Sequence, residues 1–165
     1  MRVRLIPSAS ESSYEAFFRS AFPRIRAAAA RIVGPQGGED LAIEALARAY
    51  ARWPAVERME YPQAWVTRVA VNLALDQVRR KALVFPSLSL RDESDQVVLR
   101  ADLVKVLRLL PKRQREVVVL RHVVDLSEAE VARILGISEG SVKTHLHRAV
   151  TALRSALSDE ERPSP

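Results

Sequence analysis

Residues 127 to 148 of the chain read SEAEVARILGISEGSVKTHLHR, and this stretch decides the fold of the C-terminal part. Ser127 and Glu130 have the spacing of a capping box, in which two side chains satisfy backbone N–H groups at a helix start. Gly136 is placed to end that helix, because glycine adopts the left-handed conformation without a Cβ penalty. Ser138 is placed to cap a second helix. Together these features predict a helix-turn-helix.

The second helix of this motif has two distinct faces. One face has the apolar spacing of a buried stripe, formed by Val142, Leu146, Ala149, Leu153 and Leu157. The opposite face is small, polar and basic, with Lys143 at its border, and comprises Gly140, Ser141, Thr144, His147, Arg148 and Thr151. An ordinary solvated hairpin is the alternative, but its outer face would normally carry more glutamate. The pattern therefore favours a helix that contacts DNA bases.

Composition limits the class of this 165-residue chain. The formal net charge of +6 is compatible with a polyanionic partner without identifying one. No cysteine occurs, which excludes disulfides, thiolate metal sites and a cysteine nucleophile. The first residues lack the apolar core of a signal peptide, and no run approaches the ~20 apolar residues of a membrane helix. We therefore expect a soluble cytoplasmic protein without membrane insertion, cofactor or metal.

Scarce glycine and little strand-like alternation predict an all-α chain, with two small helical domains joined by a flexible linker. The expected limits are 1–81 and 96–157 for the domains, 82–95 for the linker and 158–165 for a disordered tail. In the first domain we expect helices over 13–33, 39–53 and 62–81, separated by a break over GPQGG (34–38) and by Pro54. In the second domain we expect helices over 96–110 and 112–124, on either side of Pro111 and before the helix-turn-helix.

The helix predicted over 62–81 bears a stripe of aromatic, amide and charged side chains on an otherwise apolar surface. At 3.6 residues per turn, this stripe comprises Trp65, Arg68, Asn72, Asp76 and Arg79. An aromatic ring can stack on an unpaired base, asparagine can pair with a base edge, and arginine can bind phosphate. The alternative is a core indole beside solvated arginines that pair with Asp76, and for Trp65 alone both interpretations stand. The whole stripe, followed by the basic run 79–81, favours nucleic acid.

The helix predicted over 39–53 bears a charged stripe of another kind. Its members recur every four residues, opposite an apolar face with Leu46, Tyr50 and Trp53, and are Asp40, Glu44, Arg48 and Arg52. Glu44 before Arg48 is the favourable order for an ion pair of about 0.2–0.5 kcal/mol. The spacing alone indicates a solvated, self-paired face.

With these residues in view, the chain resembles the extracytoplasmic-function group of the bacterial sigma-70 family over roughly residues 14–157. EDLAIEALARAYARW at 39–53 and YPQAWVTRVAVNLALDQVRRK at 61–81 look like the family's second region, which binds RNA polymerase and melts promoters. LPKRQREVVVLRHVVDLSEAEVARILGISEGSVKTHLHRAVTALR at 110–154 looks like its fourth region, which binds the −35 element. The resemblance implies an alternative sigma factor with core RNA polymerase and promoter DNA as partners. An anti-sigma protein is a further candidate partner.

Combined with the faces described above, the resemblance implies three sets of binding residues. Contacts to core polymerase are expected from Asp40, Glu44 and Arg48. Binding and melting of the −10 element are expected from Trp65, Arg68, Asn72 and Arg79, with the loop 54–60 holding a flipped base. Binding of the −35 element is expected from Ser141, Lys143, Thr144, His147 and Arg148. Two positions depart from the family's usual residues: Ile43 replaces glutamine and Ser141 replaces threonine.

Two other classes of protein match parts of the sequence. SEGSVKTHLHR also resembles the LuxR-type DNA-binding domain, but residues 1–81 lack the strand-helix alternation of the receiver domain expected before it. An enzyme acting on nucleic acid is disfavoured, because GPQGG is not followed by the Gly-Lys-Ser/Thr of a P-loop. The histidines form no H-E-x-x-H pair, and no compact acidic cluster indicates two-metal catalysis. We therefore expect no catalytic residues.

Overall fold

The computed structural model describes residues 9–84 and 105–160, with side chains over 9–81 and 105–156. The long helices are α1 (Ala9–Val33), α2 (Pro35–Tyr50), α4 (Pro62–Val84) and α7 (Glu139–Glu160). The short helices are α3 (Trp53–Val56), α5 (Lys112–Val118) and α6 (Glu128–Leu135), and a π-helical turn, Val119–Val123, follows α5 directly. Residues 105–108, within the helix predicted over 96–110, are helical as well. No strand occurs within the described ranges, and the all-α prediction is confirmed.

The chain divides into two compact units, Met1–Ala74 and Leu75–Pro165, and the division falls inside α4. This division precedes the domain limit predicted at residue 81. Helix α4 continues to Val84, so residues 82–84 are helical rather than part of a linker. The rest of the predicted linker and the start of the helix predicted over 96–110 lie outside the described residues. At the other end α7 reaches Glu160, so the first residues of the predicted tail are helical as well.

Helices α1 and α2 form an antiparallel hairpin in the first unit, with Gly34 alone between them. Gly34 has a φ of 91°, which glycine adopts without steric cost. The break predicted over 34–38 is therefore wrong beyond Gly34. Pro35 lies in the first turn of α2, where its missing N–H removes no hydrogen bond. A Cβ on Gly38 would lie 2.5 Å from the Ala30 Cα, so glycine permits the close approach of the two helices.

The core of the first unit is built mainly from small side chains, which lets its helices pack closely. It comprises Ala21, Ile25 and Ala29 of α1, Ala42, Ala45, Leu46 and Ala49 of α2, Trp53 and Val56 of α3, and Val66 and Ala70 of α4. The predicted end of the second helix at Trp53 is wrong. Helix α2 ends at Tyr50, and Pro54 lies in the first turn of α3 instead of stopping α2. Tyr50 is also half exposed rather than part of the buried face.

The helix-turn-helix of the second unit has the predicted caps. The Ser127 N–H donates to Glu130 Oε2 at 2.8 Å, and the Glu130 N–H donates to Ser127 Oγ at 3.3 Å. Gly136 ends α6 in the left-handed conformation, with a φ of 65°. The Ser141 N–H donates to Ser138 Oγ at 3.1 Å, which caps α7. These contacts fix the turn between α6 and α7 and therefore the direction in which α7 leaves it.

Candidate nucleic-acid interface

The inward face of α7 is the apolar stripe predicted from the sequence. Val142 and Ala149 are fully buried, and Leu146 and Leu153 are half-buried. The side chain of Leu157 lies outside the described residues. Because this stripe attaches α7 to the rest of the unit, the opposite side of the helix is presented to solvent.

The outward face of α7 presents three of the predicted −35 residues, Thr144, His147 and Arg148, which are all exposed. The Thr144 hydroxyl donates to the Gly140 carbonyl at 2.9 Å, which leaves its oxygen as an acceptor toward solvent. Among the side chains described over 9–81 and 105–156, neither the His147 imidazole nor the Arg148 guanidinium has a hydrogen-bond or ion-pair partner. This face can therefore donate to base edges and phosphates without first losing a contact within the protein.

Ser141, which the sequence also places on the base-reading face, is half-buried in the helix cap. Its Oγ lies 2.9 Å from Ser138 Oγ, so the two hydroxyls share a hydrogen bond. The structure therefore gives Ser141 a part in the helix start.

Lys143 does not stand free beside this face. Its Nζ lies 3.6 Å from Oε2 of Glu128, the first residue of α6. Helical spacing does not predict this contact, because Glu128 and Lys143 lie on different helices. The capping box could have indicated it, since it places Glu128 at the start of the first helix of the motif.

The stripe predicted on α4 differs from expectation at Trp65, which is half-buried and packs against the core of the first unit. Its ring is therefore not a free stacking surface. Arg68 and Asn72 are half-buried, and neither side chain has a polar contact with another described residue. Arg79 is exposed and pairs with Asp76 at 3.1 Å, as the alternative interpretation of the stripe expected.

The loop predicted over 54–60 begins within α3, and α3 is anchored to α1 by its first residue, Trp53. The Trp53 indole N–H donates to Ser13 Oγ at 2.9 Å, and the Trp53 ring packs 5.2 Å from Tyr14 and 4.9 Å from Phe17, measured between ring centroids. Further along, Met59 and Tyr61 are 38% and 46% exposed. The segment 53–61 thus combines a buried anchor in α3 with two large apolar side chains at the surface, which no sequence pattern indicated.

The charged stripe on α2 is exposed as predicted. Arg48 Nε donates to Glu44 Oε1 at 2.9 Å, which confirms the expected ion pair, and Asp40 is exposed one turn earlier. Ile43, beside this stripe, is 48% exposed. An apolar side chain bordered by charges resembles the mixture of an apolar centre and a polar rim that protein interfaces use.

Two other kinds of site find no support in the part of the chain that the structure describes. Over 9–84 and 105–160, no group of three or more His, Asp or Glu side chains is arranged to hold a metal ion. None of the helices described there is both long enough and apolar enough to cross a membrane.

Known protein families and curated proteins match both parts of the chain. The family models for sigma-70 region 2 and for sigma-70 region 4 match residues 17–84 and 100–153. An RNA polymerase sigma-E factor of Streptomyces coelicolor is 36% identical over 151 residues, which cover 87% of this chain and 85% of that protein. The ECF RNA polymerase sigma factor SigW of Bacillus subtilis is 36% identical over 141 residues, covering 73% and 75%.

Solved structures share the fold at lower sequence identity. The sigma factor RpoE of Bartonella quintana, solved with the anti-sigma factor NepR, is 22% identical with a TM-score of 0.53, over 92% of this chain and 99% of that one. CnrH, solved with the cytosolic domain of CnrY, is 22% identical with a TM-score of 0.55, over 94% and 93%. The region 2 match occupies the part where a LuxR-type regulator would carry its sensing domain. The LuxR alternative is therefore not favoured.

Proposed function

The chain belongs to the extracytoplasmic-function group of the sigma-70 family, and we propose that a domain over residues 1–81 and a domain over residues 96–157 divide promoter recognition between them. It is an alternative sigma factor, a regulatory DNA-binding protein that directs promoter-specific transcription. In this proposal the polymerase performs the chemistry in the cytoplasm, and this chain selects where transcription starts. The exposed row of Thr144, His147 and Arg148 on α7 is the observation that most supports a DNA-docking role.

Recognition of the −35 element is assigned to α7, because the second helix of a helix-turn-helix enters the major groove with its N-terminal part against base edges. Lys143 and Arg148 can donate to the N7 and O6 acceptors of guanine, and His147 can donate or accept. Contacts of Arg148 with phosphates add affinity that falls steeply with salt. Residues 96–157 form the −35 domain in this proposal.

Recognition and melting of the −10 element are assigned to α4 and the loop 54–60, within a domain comprising residues 1–81. The amide of Asn72 can form paired hydrogen bonds with a base edge, while Arg68 and Arg79 bind phosphates. Trp65 supports α4 from the core, and the loop holds the unstacked base. Met59 in this loop and Tyr61 after it supply exposed apolar surface on which an unpaired base can pack.

Binding of core polymerase is assigned to the exposed stripe of α2, with Asp40, Glu44 and Arg48 as contacts and Ile43 beside them. Reconstitution with core polymerase tests this assignment. Reversing two charges, Asp40→Lys with Glu44→Lys, should abolish co-purification with core, whereas Glu11→Lys with Glu15→Lys on α1 makes the same charge change and should not.

Mapping of transcript starts made by the reconstituted holoenzyme tests the function itself. We expect starts downstream of a shared pair of −35 and −10 sequences that core polymerase alone does not use. Specific binding of the isolated chain to duplex DNA, together with failure to associate with core, would instead indicate a regulator that acts independently of polymerase.

A further inference from the structure

Glu128 is the one described residue that engages a predicted base-contacting side chain of α7 from another helix, with its Oε2 3.6 Å from the Lys143 Nζ. We propose that Glu128 is a positioning residue that raises discrimination at the −35 element, by orienting Lys143 toward base edges and withholding its charge from phosphates. This inference rests on the proposed role of α7 in −35 binding.

The surroundings of Glu128 direct it to Lys143. It is the first residue of α6, directly after the capping residue Ser127. The other acidic side chain of this turn, Glu130, is occupied by the capping box. The Glu128 side chain is 33% exposed whereas that of Lys143 is 66% exposed, so the carboxylate lies deeper and the ammonium reaches outward. At 3.6 Å the two charges form an ion pair rather than a hydrogen bond, so all three N–H donors of the ammonium remain available to acceptors on a base.

The negative charge of Glu128 is the reason why Lys143 is withheld from phosphates. The first helix of a helix-turn-helix crosses the DNA backbone, and a helix N-terminus ordinarily attracts phosphate. Glu128 places a carboxylate at this N-terminus, which disfavours a phosphate there and compensates the charge of Lys143. Lys143 therefore adds little to sequence-independent binding, and its N–H groups count mainly where a base offers acceptors. By contrast, no described residue compensates Arg148, which keeps its attraction for any DNA.

The test compares holoenzymes reconstituted from core polymerase and the full chain, carrying the parent sequence or Glu128→Gln. Open-complex formation is measured on a promoter recovered by transcript mapping, and on the same promoter with its −35 bases scrambled and its −10 element kept. Glu128→Gln frees Lys143 for phosphates. We expect the preference for the intact −35 element to fall by about fivefold, the low end for a base contact. Binding to the scrambled template should gain about 0.9 in salt slope, as for one additional phosphate contact.

Matched variants separate this effect from general charge and from folding. Glu15→Gln on α1 makes the same charge change and likewise releases a paired cation, Arg19, but it lies outside the helix-turn-helix and should leave the preference unaltered. In a Lys143→Ala background Glu128→Gln should have no effect, since the side chain that it releases is gone. Glu128→Asp keeps the charge but shortens the reach, so it should also lower the preference without changing the net charge. Midpoints of thermal unfolding should differ among the variants by no more than a few degrees, because an acidic side chain at a helix start contributes about 0.3–1 kcal/mol.

The inference is overturned if Glu128→Gln leaves both the preference and the salt slope unchanged, or if its effect persists without Lys143. A parent holoenzyme that initiates but does not distinguish the intact from the scrambled −35 element would overturn the proposed role of α7 as well. The behaviour of the parent protein therefore separates failure of this inference from failure of the proposed function.

Discussion

The Arg148 side chain is exposed on α7 and makes no polar contact with any other described residue. Its guanidinium can therefore bind DNA without losing a contact. Arg148→Ala should weaken binding of the holoenzyme to promoters that depend on the −35 element, by about 1–3 kcal/mol if the contact is to a base edge. Thermal unfolding should be unchanged, because the side chain contributes nothing to the core. Lys112→Ala, at another exposed cation of the same unit, is the control for lost charge. Equal affinity of Arg148→Ala and the parent would mean that this face of α7 does not contact DNA.

The Asn72 side chain is half-buried on α4 and makes no polar contact with another described residue. Its amide is therefore available to a base that becomes exposed when the duplex opens. Asn72→Ala should leave polymerase association and −35 docking intact while slowing open-complex formation. A template with a premelted bubble should restore much of the rate, because it removes the unpairing cost of a few kcal/mol. The rates of run-off transcription from duplex and bubble templates measure both effects. An equal rate for variant and parent on duplex DNA would place the melting surface elsewhere.

Tyr14 joins the start of α1 to the end of α2, since its hydroxyl donates to the Leu46 carbonyl at 2.9 Å. Burial, and to a lesser degree the neighbouring Tyr50, raises the pKa of the Tyr14 phenol above its ordinary value of 10.0. As pH rises past 10.0, the unfolded chain therefore loses this proton first, and the contribution of Tyr14 to stability falls until the folded state ionises as well.

Tyr14→Phe should consequently lower the free energy of unfolding by about 1 kcal/mol near neutral pH. The difference between variant and parent should shrink as pH rises above the ordinary tyrosine pKa of about 10. Urea unfolding at neutral and alkaline pH measures it. A difference that stays constant across this range would contradict the role given to burial.

At the scale of elements, two glycines within helices differ in their surroundings. Gly38→Ala should destabilise the first unit by about 1–3 kcal/mol, because its Cβ would clash with the Ala30 backbone of α1. Gly140→Ala is the matched comparison: only Ser138 Oγ, at 3.8 Å, lies near the new Cβ, so better helix propensity should stabilise by up to about 1 kcal/mol. Denaturant unfolding of both variants measures the contrast. Similar changes for both would show that the α1–α2 contact is looser than described.

Elements whose limits are set by neighbouring residues were predictable from the sequence. Ser127, Glu130 and Gly136 satisfy or terminate the backbone of their own helix, and the structure places all of them as expected. The start of α2 was not predictable from local propensity, because Gly38 breaks isolated helices but here permits close packing on α1. The burial of Trp65 likewise depends on the core of the first unit. The start of α2 and the burial of Trp65 therefore depend on contacts between helices, which local sequence patterns do not show.

The residues of the candidate site likewise differ in whether local sequence patterns predict them. The outward face of α7 follows from helical spacing alone, so Thr144, His147 and Arg148 were identifiable beforehand. The contact between Glu128 and Lys143 joins two helices, and only the turn at Gly136 brings them together. The residues proposed to bind DNA were thus easier to find than the residue proposed to orient one of them.

At the scale of the whole molecule, a formal net charge of +6 raises attraction to DNA without choosing a sequence. In our account promoter selection comes from the combination of two domains, which recognise different DNA elements. In this proposal the −35 domain binds duplex bases through α7, and the −10 domain holds bases that have left the stack. Neither step requires catalysis by this chain, because the polymerase to which it binds makes the transcript.

Permanganate footprinting of thymines on a mapped promoter tests whether this chain directs promoter opening. With core polymerase and this chain, we expect unpaired thymines within the −10 element, and we expect their signal to weaken when the −35 element is scrambled. Core polymerase alone and the chain alone should leave the duplex closed. Equal reactivity with core polymerase alone, or a closed duplex with the reconstituted holoenzyme, would contradict the account that this chain directs promoter opening.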